Sequence, residues 1–444
     1  MLSPMEEFYD YIGSLGIAGS PDVPRAIEKL GPGAVLQVAT RCYELTEVSV
    51  VKPKSSSQFN FAAGSSMGGG AESCASLECR IKSLYHLGVF ASLYADEVYI
   101  PNFFEYMYHK PDFKDGWQYS SFLEGLTNDI LLMLYLKPLV DAGIIHINPK
   151  LRTYCQDCLA KKIQADASLF QKLKVVEKKV ATDMATNVGV VLEKDNYVHL
   201  VGGDFHRGVL FENLPKDLSI YGRRAPYRFS AKEALQLGLF DYFLDPIFQD
   251  LIAQKYAMKH LNVSYITDRK IEKNIIRKLD GVDSAGSSRI AELPHNLPFI
   301  TGTSLESLVN LRKKESTAFA TYRDAVRLAI KTAENESNPI ALKDIVQDII
   351  EPEIRKIDHI VQTEQSEIAS KAKTKIAINA GIISMGWFAN YIGGVDIGMA
   401  MTTMGGLFAA KDIALDLSSI GKTPVAAKNS DYYFLWAVKN LPKH

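Results

Sequence analysis

At 444 residues, with 47% hydrophobic and 23% charged content, the chain is long enough for two or three domains of ordinary globular composition. A formal net charge of -1 excludes a global electrostatic pull toward nucleic acid or anionic lipid, so any basic site must be local. Five cysteines, few and odd in number, argue against a disulfide framework and for a reducing compartment.

The first residues, MLSPMEEFYDYIG, are acidic and carry neither the basic region nor the apolar run of a secretory signal, so a cytoplasmic location is expected. Ser3-Pro4-Met5-Glu6 is a capping box with proline at the first helical position, predicting a helix to about Leu15. Ser20-Pro21-Asp22 starts a second short helix, which Gly31-Pro32-Gly33 stops. Ala34 to Val51 reads as a helix followed by a strand, ELTEVSVV. Residues 52–73, KPKSSSQFNFAAGSSMGGGAES, are rich in Ser and Gly and predict a mobile loop. A glycine loop that opens a helix can cradle phosphate. This one lacks the Gly-Lys-Ser/Thr ending and the dinucleotide spacing, so its composition favours a linker.

A helix is expected from Ser73 to about Tyr94, with Leu77, Ile81, Leu84 and Leu87 as its buried stripe. Gly88 continues that face and lets a neighbour approach closely. EVYIPN is a short strand ended by Pro101, and the aromatics Phe103, Phe104, Tyr106, Tyr108, Phe113, Trp117 and Tyr119 read as core. A helix returns from about Ser121 to Ala142, kinked near Pro138 and capped by Gly143, before a strand at Ile144–Ile147.

Cys155 and Cys158 form the one Cys-x-x-Cys, half of a candidate zinc site. Cys74 and Cys79, five apart, would point about 140° apart on a helix and chelate poorly. His86, His109 and His146 are the other candidate ligands. Residues 160–186 read as a charged helix, and VGVVLEKDNYVHLVGG as a hairpin turning at Lys194-Asp195-Asn196. His199, Asp204 and His206 near that hairpin are candidates for metal binding or acid–base work. Arg223, Arg224 and Arg228, interleaved with Tyr221 and Tyr227, are the best local patch for phosphate or nucleic-acid contact. Ser230-Ala231-Lys232-Glu233 is a second capping box. A basic helix over 268–279 leads to the linker GVDSAGSSR at 281–289, the main domain boundary expected.

Beyond it, Thr303-Ser304-Leu305-Glu306 caps a long helix with the apolar stripe Leu305, Leu308, Val309, Phe319, Tyr322 and Val326. Asn338-Pro339 ends it. A polar helix then feeds into residues 376–410, where Asp396 is the only formal charge and Gly393-Gly394 sits mid-way, the pattern of an apolar helical hairpin. Each arm is about 16 residues or roughly 25 Å, short for a membrane span and comfortable in a core. The tail DYYFLWAVKN is expected to pack on a neighbour. No internal repeat is visible.

The fold class expected is α-rich α+β. Residues 1–285 form an α+β region with short strands, and 286–444 a helical domain containing the hairpin. Two functions from different classes follow. In the first, a non-enzymatic interaction or effector protein keeps its apolar hairpin buried until it meets a protein partner, a second copy or a membrane. Its layout, and only that, is shared with toxin- and defence-type effectors. Burying about 30 apolar residues at roughly 25 cal/mol per Å² favours concealment by tens of kcal/mol. In the alternative, a metal-dependent enzyme, or one binding nucleotide or nucleic acid, acts through the N-terminal region, with zinc as the candidate cofactor.

Overall fold

The computed structural model describes residues 3–48, 59–64, 66–71, 75–109, 116–148, 161, 164–165, 167–192, 198–202, 226–241, 243–245, 247–248, 251, 261, 263–267, 269, 271–272, 275–276, 278, 303–335, 352, 355, 430–439 and 441. In chain order its first elements are α1 (Pro4–Ser14), a 3-10 turn (Ser20–Asp22), α2 (Val23–Glu28), α3 (Pro32–Glu47), β1 (Asn60–Ala63), α4 (Leu77–Tyr94), β2 (Glu97–Ile100), a second 3-10 turn (Glu105–His109), α5 (Gly116–Asp141) and β3 (Ile145–Ile147). Then come α6 (Ala167–Asn187), β4 (Gly189–Leu192), β5 (Val198–Val201), β6 (Tyr227–Phe229), α7 (Ala231–Gln236), β7 (Ser264–Ile266), α8 (Leu305–Lys314), α9 (Ser316–Asn335) and α10 (Tyr433–Lys439). Two compact units result: Met1–Pro149 with Leu293–His444, and Lys150–Glu292. The linker expected at 281–289 and the apolar segment 376–410 lie outside the described residues.

In the first unit the strands run parallel in the order β3-β2-β1, with Phe61 opposite Val98 and Tyr99 opposite His146. Helix α4 makes the crossover from β1 to β2, and α5 the one from β2 to β3, as parallel pairing requires. The two helices pack on each other. Phe61 of β1 meets Phe90 of α4 at 5.6 Å between ring centroids. Gly88 marks the close approach its position predicts: a Cβ there would lie 2.7 Å from Leu305 and 2.8 Å from Leu139. Helix α8 therefore seats on α4 and α5 together. Gly143, at φ 68°, ends α5 in the left-handed conformation that glycine takes readily.

Helix α1 starts on a complete capping box. The Glu6 N–H donates to Ser3 Oγ at 3.2 Å and the Ser3 N–H to Glu6 Oε2 at 2.6 Å. Ser304 caps α8 by accepting from the Ser307 N–H at 3.1 Å. The long helix predicted there is two, because Glu315 (φ -105°, ψ 39°) leaves the helical region between α8 and α9. The expected stripe survives the break: Leu305, Leu308, Val309, Phe319, Tyr322 and Val326 are all buried. The aromatic tail is α10, with Phe434 packed edge-on to Phe319 at 5.0 Å.

Two readings of this unit are corrected. Glu44–Glu47 continue α3 and are not a strand. Val35, Val38, Ala39, Cys42 and Leu45 are buried at helical spacing, and that stripe carries the helix through the β-branched residues. The stretch predicted as a mobile loop contains β1, with Phe59, Phe61 and Met67 buried. Ser and Gly on either side outweigh four strand residues in composition. Partners distant in sequence decide the matter.

The second unit holds an antiparallel sheet in the order β5-β4-β6. Val190, Leu192, Val198, Leu200 and Phe229 share its core with Leu173, Val176, Val180 and Met184 of α6. The charged helix predicted at 160–186 thus has one apolar stripe. The hairpin is present as β4 and β5, in the register Val191 opposite His199. Ser230 caps α7 through the Glu233 N–H at 3.2 Å. The reciprocal half of that box is missing, since the Tyr227 hydroxyl takes the Glu233 carboxylate at 2.9 Å. The whole is mostly helical, with one small parallel and one small antiparallel sheet.

Candidate functional site

The C-terminal ends of parallel strands are where α/β folds place ligands. At the end of β1 the chain turns back on itself, with the Gly68 N–H donating to the Gly64 carbonyl at 2.8 Å. Gly68 lies flat on the end of β2, where a Cβ would come within 3.1 Å of Pro101 Cδ. Gly69 follows at φ 75°. Arg80, on the first turn of α4, holds this turn: its Nε donates to the Gly69 carbonyl at 2.6 Å. The same guanidinium donates to Asp129 of α5 at 2.6 Å, with both side chains 4% exposed, and sits 5.6 Å over the Phe103 ring. Burial, then the Asp129 charge, push the Tyr106 phenol well above its ordinary range and the buried Cys42 thiol up as well.

Asn102 stands between Pro101 and Phe103, so both neighbours touch the Gly68-Gly69 turn or the arginine that holds it. It is 5% exposed. Its Oδ1 accepts from the Phe104 N–H at 3.1 Å, which orients the amide, and among the described residues its Nδ2 has no hydrogen-bond partner. An unpaired buried amide donor costs about 1–3 kcal/mol. Asn148, fully buried after β3, continues the ladder by donating its N–H to the Ile100 carbonyl at 2.9 Å.

One face of these strands is apolar, with Phe61, Val98, Ile145 and Ile147. The other carries Asn60, Glu97, Tyr99 and His146, placed together by the register. The Tyr99 hydroxyl donates to Glu97 Oε2 at 2.5 Å, and its ring stacks on His146 at 5.2 Å. Burial first, then the bond to Glu97 and its negative charge, raise the Tyr99 phenol above its ordinary range, so it stays a donor.

In the second unit the register pairs Val191 with His199 on one side and with Arg228 on the other, and Val191 and Arg228 lie on the face opposite the core. Arg228 is exposed and lies over Gly189, whose Cβ would be 3.0 Å from Nη2. It lines a groove of about 490 Å³ with Asn187, Phe229 and Ser230. Of the expected Arg and Tyr patch, Tyr227 and Arg228 lie on β6, and Tyr221, Arg223 and Arg224 lie outside the described residues. Strand alternation sends Tyr227 and Phe229 to the other face from Arg228.

Glu177 of α6 carries a carboxyl raised to about 7, by burial first and then by the charges of Asp245 and Asp241, with Lys174 opposing. A carboxyl that holds its proton more tightly when folded makes stability fall as pH rises. The fall is expected between about pH 4.5 and pH 7, and Glu177→Gln is expected to flatten it. Urea melts of both proteins at pH 5 and pH 8 check this. A wild-type midpoint unchanged across that range contradicts it.

Of the other residues singled out in the sequence, Asp204, His206, Arg223, Arg224, Cys155, Cys158, Gly393, Gly394 and Asp396 lie outside the described residues. Among the described residues no three His, Cys, Asp or Glu side chains are grouped to hold a metal ion. Glu97, Tyr99 and Asn102 are not among the residues that motif and spacing single out. The signal was present in EVYIPN: Glu97 and Tyr99, two apart, put polar groups on one face of a strand whose parallel pairing calls for apolar residues on both. No protein-family model, curated protein or solved structure matches this chain.

Proposed function

We propose that the first unit binds a phosphate-bearing small molecule at the C-terminal edge of its parallel strands. The observation that carries this reading is the Asn102 amide, a buried donor without a partner among the described residues. Its sequence neighbour Pro101 lies against the glycine turn at Gly68, where no side chain intervenes. Arg80 is occupied by Asp129 and Gly69 and serves as the support of that turn. An anionic oxygen would supply Asn102 with its missing acceptor, and a hydrogen bond to a charged group is worth about 1.5–3 kcal/mol.

Asn102→Asp keeps the acceptor that holds the Phe104 N–H and sets a negative charge where the donor was. Titration calorimetry of the full chain with pyrophosphate should give saturable binding for wild type and a loss of at least about tenfold for the variant. Wild type that binds no phosphate compound at all would sink the reading.

A second reading rests on residues 376–410 and their single formal charge. Such a segment needs shielding from water, and a protein partner, a second copy or a membrane would provide it on release. Among the described residues no helix is long and apolar enough to cross a membrane. Flotation with anionic liposomes tests the membrane form, and protein left wholly in the aqueous fraction counts against it.

A further inference from the structure

We propose that the second unit holds a separate site, a groove that takes a small monocarboxylate with an apolar body on the Arg228 guanidinium. The antiparallel register sets Val190 of β4 against Phe229 of β6. It thereby brings the turn from α6 into β4 and the turn from β6 into α7 to one end of the sheet. A groove of about 490 Å³ lies at that end, within the range of small-molecule pockets, about 300–1,000 Å³. Its buried lining is apolar, with Val188, Val190, Phe229 and Ala234. Its exposed lining is polar, with Thr186, Asn187, Arg228 and Ser230. Among the described residues that line it, Arg228 alone is charged.

Arg228 makes no ion pair or hydrogen bond among the described residues. The next acidic residue along the chain, Glu233, has both carboxylate oxygens on the Tyr227 hydroxyl, at 2.9 and 3.1 Å. The guanidinium is nevertheless held in place. It lies on Gly189, where a Cβ would be 3.0 Å from Nη2, 3.3 Å from Nε and 3.4 Å from Cζ. A planar fork laid on backbone receives a carboxylate through two parallel N–H···O bonds. Ser230 Oγ already accepts from the Glu233 N–H at 3.2 Å, which leaves its O–H to donate to the same ligand. Charge selects a monoanion. Helix α6 ends at Asn187, in the groove, and a helix C-terminus carries about half a negative charge. Against one guanidinium that favours a single negative charge over the nearly two of a phosphate monoester.

Saturation-transfer NMR of the full chain with 4-phenylbutyrate tests the proposal. Wild type should bind it saturably and at least about tenfold more tightly than the neutral 4-phenylbutyramide. Inorganic phosphate should displace it only at about ten times the concentration or more, so that phosphate bound near Asn102 does not enter the reading. Arg228→Met should abolish the preference for the acid over the amide. Arg228→Lys keeps the charge without the fork and should lose about half of that preference on a logarithmic scale. Arg228 is exposed, so both variants should keep the wild-type urea midpoint. Gly189→Ala lifts the guanidinium off the strand and should weaken the acid severalfold while leaving the amide unchanged. Wild type that binds no 4-phenylbutyrate, or binds the amide equally well, overturns the proposal. So does an Arg228→Met variant that keeps the preference. Displacement by phosphate at equal concentration overturns the choice of a monocarboxylate.

Discussion

Arg80→Met is expected to lower the unfolding free energy by about 3–5 kcal/mol, the cost of leaving one partner of a buried ion pair alone. Arg80 and Asp129 are each 4% exposed and 2.6 Å apart, so water cannot replace the lost guanidinium. The Asp129 charge would then face the Tyr106 phenol and the Cys42 thiol, neither of which carries a positive charge. The Gly69 carbonyl would lose its donor in the same step. The double variant Arg80→Met/Asp129→Leu removes both charges and should recover most of the loss, since apolar replacements of buried pairs are often near neutral. Urea unfolding followed by circular dichroism measures both. A single variant within about 1 kcal/mol of wild type would mean that solvent reaches the pair.

Phe434→Ala should cost about 3–5 kcal/mol, in the range for deleting a fully buried ring. Phe434 is 1% exposed and meets Phe319 at 5.0 Å and Tyr322 at 5.9 Å. Tyr322 in turn packs at a tilt on Tyr94 of α4 at 6.0 Å, so the C-terminal helix closes a file of rings that begins beside the parallel strands. Phe434→Leu keeps most of the volume and should cost less than about 1.5 kcal/mol. Tryptophan fluorescence during urea unfolding reports the change, because Trp436 lies in the same short helix. Equal losses for both variants would mean that ring geometry, not filled volume, holds α10 in place.

Short-range chemistry was legible from the residues. The capping box at Ser3, the cap at Ser304, the glycine stop at Gly143 and the close approach at Gly88 each rest on a few neighbouring atoms or on one missing Cβ. The strands at 97–100 and 145–147 and the hairpin of β4 and β5 were legible for the same reason. β1 was not. Its four residues lie inside a Ser- and Gly-rich stretch, and only the ladder to β2 makes them a strand. The candidate site was read least. Glu97, Tyr99 and His146 become one patch through the register of β2 on β3, and no local pattern reports a register between parallel strands separated by a crossover helix.

By itself the sequence determined several helix caps, such as those at Ser3 and Ser304, which helix faces are apolar, and that one segment near the C-terminus is almost without charge. Tertiary structure decided that the N-terminal 149 residues form one unit with helices from the far end of the chain, and that polar residues from separate strands share one face. The physical reason is range. Caps and stripes act within one or two turns of helix, whereas strand pairing joins residues such as Tyr99 and His146 across a whole crossover helix and ring packing joins Tyr94 to Tyr322, and their energies appear only once the chain has closed on itself.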